Sequence, residues 1–166
     1  VLFQTMYDGF VERAEAVTAL LGGPQTTFVV VSTLEVAPAR EAEFFLELLA
    51  ERRYHVGALV LNKVLPQFLL DQEAQDAATR MRNESEKLAV GLVGSLGDPE
   101  PDRTHVTHVL SEMGQTFLDY QVVARREAEQ RTELSASPEL TLTVPYLDDD
   151  IHSLRGLLDL GERIWR

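Results

Sequence analysis

The chain has 166 residues, a formal net charge of −12, no cysteine and 45% hydrophobic residues, which suffices for one domain with a sizeable core. Its 15 Lys and Arg residues are spread out; this argues against a nucleic-acid backbone or an anionic membrane leaflet as main partner, because both need clustered cations. The missing cysteine excludes disulfides, thiolate metal sites and thiol catalysis and fits a reducing cytoplasm, no apolar run approaches the roughly 20 residues of a membrane span, and no signal peptide is visible.

Tyr7 to Leu21 reads as a helix, with Phe10, Ala14, Val17 and Leu21 at helical spacing and GGP as its stop. Thr26 to Thr33, TTFVVVST, is β-branched and mostly apolar, the pattern of a strand buried on both faces of a parallel sheet. Pro38 then opens a helix to about Arg53, with Phe44, Phe45, Leu48 and Leu49 as its expected inner stripe. His55 to Asn62, HVGALVLN, is the second strand. Strand, helix and strand in this short span form a βαβ unit with parallel, internal strands, so the sheet edges are expected elsewhere.

Pro66 to about Leu92 is expected to be helical, GSLGDPEPD breaks it, and Thr104 to about Arg131 forms a second long helix. The expected core stripe of that second helix is Val106, Val109, Leu110, Met113 and Phe117, before the solvent-like ARREAEQR. The sheet resumes at Leu140 to Val144, LTLTV; Pro145 ends the strand. A last helix over Ile151 to Arg166 is expected to bury Ile151, Leu154, Leu157, Leu158, Leu160 and Ile164. The predicted fold class is α/β, a parallel sheet interrupted by a long α-helical hairpin: residues 1–65 and 135–166 build the sheet domain and 66–134 the hairpin. Three strands are few for a doubly wound sheet, and the chain starts at Val; both features lead us to expect a portion of a longer protein.

In parallel sheets, ligands bind just beyond the carboxyl ends of the strands, and Asn62 stands at such an end. Its amide offers a donor and an acceptor to a purine edge; the residue pattern alone favours the other reading, a cap for the next helix or a turn. Pro145 and Tyr146 also follow a strand end, either as a wall for a flat base or as an ordinary strand terminator. Glu35 suits the amino end of the following helix. Asp148, Asp149 and Asp150 read as helix-start carboxylates in preference to a metal site. His105 and His108 lack a third ligand in the sequence pattern, so surface or capping roles fit them better than zinc. There is no G-x-x-x-x-G-K-[ST] phosphate loop and no G-x-S-x-G elbow.

Taken in order, TTFVVVSTLEVAPAREAEFFLELLAERRYHVGALVLNKVLP resembles the C-terminal half of the ArsA-type ATPases, a group that includes arsenite-pump ATPases and ATPases that target tail-anchored membrane proteins. TLTVPYLDDDIHSLRGLLDLGERIW is similar to the family's close, and YDGFVERAEAVTALL to the helix that precedes these strands in bacterial members. The resemblance implies a P-loop NTPase fold of the deviant Walker A, ArsA/MinD-like type and a bacterial paralogue. It implies that Asn62 recognises the adenine of ATP or ADP and that Pro145 lies against the base, with Tyr146 and Leu147 as neighbours. Glu35 matches a Pro-Glu position, although Leu34 precedes it here.

The family's phosphate loop, Mg²⁺ ligand and water-positioning Asp lie in its N-terminal half and have no counterpart here, so no catalytic residue and no metal ligand is assigned. Phosphoryl transfer depends on those groups, so this portion is not expected to hydrolyse ATP alone; Mg²⁺ would be held by the missing half. The resemblance implies a cytoplasmic homo- or heterodimer with a related ATPase subunit. The helical excursion either holds an apolar client segment or packs as an ordinary hairpin. A second class of reading is a stand-alone, non-catalytic α/β module that regulates or scaffolds a partner ATPase.

Overall fold

Parallel strands rich in β-branched residues need crossover helices that cover their faces, and the first part of the chain folds in that way. The computed structural model describes residues 2–95, 102–134, 138–147 and 150–165. Two compact units emerge: a sheet unit, Val1–Val64 with Gln130–Arg166, and a helical unit, Leu65–Glu129.

The sheet unit contains helix α1 (Leu2–Leu21), strand β1 (Phe28–Ser32), helix α2 (Val36–Glu51), strand β2 (Val56–Val64), strand β3 (Thr141–Pro145) and, numbered last in chain order, helix α6 (Leu154–Ile164). The strands lie in the order β1-β2-β3, and both pairings are parallel. Among the described residues the fold is thus α/β with a three-stranded parallel sheet.

The core of this unit lies between the sheet and α2. Ala39, Ala42, Leu46 and Leu49 face Val30, Leu59 and Leu61, and Leu134 completes the cluster. Leu59 and Leu61 are fully buried, each contributing about 1.5–3 kcal/mol. The α2 stripe is therefore rotated from the expected one. Leu49 is buried as expected, but Phe44 is 65% exposed and Phe45 is exposed too. Two alanines in the actual stripe let the helix lie close to the strands, where a phenylalanine would hold it off.

Helix α2 ends in a Schellman motif. Tyr54 N–H donates to Leu49 O and Arg53 N–H to Ala50 O, each at 2.9 Å. Arg53 takes φ 58°, the left-handed conformation usually filled by glycine. Tyr54 then stacks on Phe28, with ring centroids 5.4 Å apart, which fixes the turn against the start of β1.

Two further expectations of burial fail in this unit. Among the described residues β1 lies at the edge of the sheet: Val29 and Val31 are 56% and 61% exposed, while Val30 and Ser32 are buried. One face of β1 is covered by α2 and the other is not. Helix α6 begins at Leu154, with Ser153 Oγ accepting from Gly156 N–H at 3.1 Å. None of its residues is buried, and Leu154, Leu157 and Leu158 are exposed. α6 packs against β3, and a single strand covers only part of a helix circumference.

The helical unit begins with a 3₁₀ turn (Gln67–Leu70), followed by α3 (Gln72–Asn83) and α4 (Ser85–Val93), and closes with the 32-residue α5 (Arg103–Leu134), whose last turn belongs to the sheet unit. The first arm of the expected hairpin is thus broken into three pieces. Asp71 makes the first break: its carboxylate accepts from Glu73 N–H at 2.8 Å and caps α3. Most of GSLGDPEPD, residues 96–101, lies outside the described residues.

On α5 the packed positions are Leu110, Gly114, Phe117, Gln121 and Ala124, while Val109 and Met113 are exposed. The seam repeats every three to four residues, as expected for helices packed side by side. Gly114 is needed for the approach: a Cβ there would sit 2.5 Å from Ala78 O and 2.7 Å from Arg82 N. Gln121 is buried and donates from Nε2 to Gln75 Oε1 at 3.1 Å; Arg125 Nη2 donates to the same oxygen at 2.8 Å. These bonds satisfy a polar group that would otherwise cost stability within the seam.

Candidate functional site

The carboxyl ends of β2 and β3 meet in an irregular ladder. Leu61 pairs with Thr143 and Val64 with Pro145, so β2 carries one residue more than β3 between those pairs. This is a β-bulge, a device that bends a strand and re-aims side chains. Lys63 within it has φ 58°, a conformation that costs a non-glycine residue about 1–2 kcal/mol. Two hydrogen bonds hold the segment within the sheet unit: Asn62 Oδ1 accepts from Lys63 N–H at 3.0 Å and Val64 O from Tyr146 N–H at 2.8 Å. At about 0.5–1.5 kcal/mol each, together they offset the cost of the bulge. In the helical unit, Glu127 Oε2 accepts from Leu65 N–H at 2.9 Å.

Asn62, Pro145, Tyr146 and Leu147 line one cleft of ≈ 350 Å³, together with Lys63, Val144, Asp150 and Ile151. The four residues singled out from the sequence therefore converge at the rim of the parallel sheet. The cleft's size falls within the range of small-molecule sites. Pro145 and Leu147 supply apolar walls, Tyr146 an exposed ring, and Asn62 a half-buried amide. One lone pair of Asn62 Oδ1 is taken by Lys63 N–H, so the Nδ2 hydrogens are the amide's unengaged donors. Asn62 caps neither of the next helical elements: Pro66 precedes the 3₁₀ turn, and Asp71 caps α3.

A second opening, of ≈ 620 Å³, lies on the β1 side, and Asn62 borders it too. It is lined by Val31, Phe44 and Phe45, which explains the exposure of those side chains, and by Thr33. Thr33 Oγ1 is buried with no hydrogen-bond partner, the one such side-chain atom among the described residues.

The remaining candidates lie away from the cleft or play local roles. Glu35 holds the N-cap position of α2 through its backbone, its O accepting from Ala39 N–H at 2.9 Å; its side chain makes no cap bond. His108 pairs with Glu112 at 3.3 Å on the exposed surface of α5. Asp148 and Asp149 lie outside the described residues. Among the described residues no three His, Asp or Glu side chains gather as a metal site would require, and no helix is long and apolar enough to cross a membrane.

An α/β chain with a parallel sheet and a strand-end cleft belongs to a broad class in which ligands sit at the carboxyl ends of strands. No family model matches this chain. It is 29% identical over 154 residues to ATPase BagA of Mycobacterium tuberculosis and to Mb3704 of Mycobacterium bovis, which carries a provisional ATPase name. Each match covers 92% of this chain and 42% of the relative, so the chain spans less than half the length of the curated relatives it matches.

The bulge escapes a sequence reading: it has no turn-type signature, because Lys63 is not a residue that favours positive φ.

Proposed function

We propose that this chain is the base-binding and helical portion of an ArsA-type ATPase. The observation that carries this reading is the convergence of Asn62, Pro145, Tyr146 and Leu147 on one strand-end cleft, in a chain similar to ATPases over 92% of its length. The amide of Asn62 reads the polar edge of adenine, and Pro145 and Leu147 flank its faces. The nucleotide is ATP or ADP. Its phosphates and Mg²⁺ are handled by residues outside this chain, which carries no phosphate loop, so the chain alone binds the base without cleaving the nucleotide. In the whole protein, a cytoplasmic dimer of related subunits couples nucleotide binding to the handling of a client, and the helical unit is the part that holds or senses it.

Titration calorimetry with ADP tests the site. Asn62→Ala is expected to weaken binding about tenfold, the loss of one or two hydrogen bonds to a base, while the lost bond to Lys63 N–H lowers stability by only about 1 kcal/mol and the chain stays folded. Equal affinity in the variant would remove the assignment.

A further inference from the structure

The wider opening on the β1 side, ≈ 620 Å³, shares Asn62 with the base cleft and lies within the sheet unit. Most of its lining is apolar, and Asn62, Thr33 and Glu41 bring polar side chains to it. That is the usual composition of a small-molecule site. Ser32 pairs with Leu61, so Thr33 and Asn62 come next on two adjacent parallel strands. Glu41 lies on α2 between Pro38 and Phe45, at spacings that put all three on one helix face, and all three border the opening.

The polar groups define what the opening would take. Thr33 Oγ1 is buried without a partner, an arrangement that costs stability unless something supplies the missing bond. The Glu41 carboxylate, which only accepts hydrogen bonds, is paired with no cation among the described residues. No Lys, Arg or His among them lines the opening. A phosphate would meet that carboxylate uncompensated, whereas sugar hydroxyls are neutral, donate to a carboxylate and exchange hydrogen bonds with a threonine. The cleft has another neighbour, an opening of ≈ 370 Å³ beside α6, but its Ser153 hydroxyl is already engaged by Gly156 N–H.

We infer that the β1-side opening holds the ribose of the nucleotide whose base lies in the cleft, with Glu41 accepting from the 2′- and 3′-hydroxyls and Thr33 partnering one of them. The inference rests on the nucleotide reading and extends it to the sugar. An acidic side chain on ribose hydroxyls is a device that parallel-sheet nucleotide sites use elsewhere.

Magnetic resonance titrations of the chain with adenine, adenosine and 2′,3′-dideoxyadenosine test it. All three should move the Asn62 and Tyr146 amide resonances. Adenosine should also move those of Thr33 and Glu41, and more than the dideoxy compound does. Adenosine should bind about tenfold tighter than dideoxyadenosine, the effect of hydrogen bonds to a charged group. Glu41→Ala, at an exposed helix position, should cut that preference to about twofold, and Thr33→Val should reduce it about threefold. Glu43→Ala, on α2 but outside the opening, should leave it intact. Equal affinities of the two nucleosides for the unaltered chain, or a full preference in Glu41→Ala, would overturn the sugar site, while movement of Asn62 and Tyr146 by adenine would still uphold the base cleft. If adenine moves neither residue, the base reading fails and the sugar site falls with it.

Discussion

The sheet unit and the helical unit are packed by different means. The sheet unit closes around large branched side chains, with Leu59 and Leu61 fully buried between strands and α2. In the helical unit the closest approach is at Gly114, where a Cβ would meet Ala78 O and Arg82 N, and Ala78, Ala89, Ala124 and Gln121 are buried. The core of the first depends on the volume of its leucines, and the seam of the second leaves no room for an added methyl at Gly114. The two units should therefore fail under opposite kinds of substitution.

The largest effect is expected from Leu59→Ala. Removing a fully buried leucine should cost about 3 kcal/mol, read as loss of amide-exchange protection in β1 and β2. A loss below about 1 kcal/mol would mean that this core is not close-packed. The reverse experiment is Gly114→Ala, which adds one methyl where α5 meets α3. It should cost about 2 kcal/mol, seen as loss of protection in those two helices, and a stabilising outcome would contradict the close approach described above. The smallest effect sharpens the contrast within the sheet unit. Thr33→Val replaces a buried hydroxyl that has no partner by a methyl of similar shape. It should stabilise the protein by about 1 kcal/mol in urea unfolding; destabilisation would indicate that the hydroxyl has a role in the fold.

The same contrast explains what could be read in advance. The strands of the sheet unit were legible because β-branched runs bounded by glycine and proline have few alternatives, and the parallel pairing followed from the short βαβ spacing. Patterns of large apolar residues misled wherever small ones do the packing. The pattern points to Phe44 and Phe45 as core where Ala39 and Ala42 are buried, and to Val109 and Met113 where Gly114 and Ala124 are. The leucines of α6 form a clear stripe, yet a stripe states only that a face could be covered, not that this chain covers it. At the candidate site, two strand ends in one parallel sheet were enough to bring Asn62 and Pro145 together. The bulge is not legible, because it arises from the register between two strands.

The additional residue in β2 also bears on what a straight strand would do. Side chains alternate across a sheet, so without the bulge Lys63 would fall opposite Pro145 and point toward the leucine cluster, and Val64 would turn away from it. Val64 in fact packs against that cluster and Lys63 is exposed. An unpaired ammonium among leucines is strongly disfavoured, so the lysine's charge closes off the straight pairing as an alternative. Its contribution is to forbid the competing register, independently of any contact it makes with a ligand.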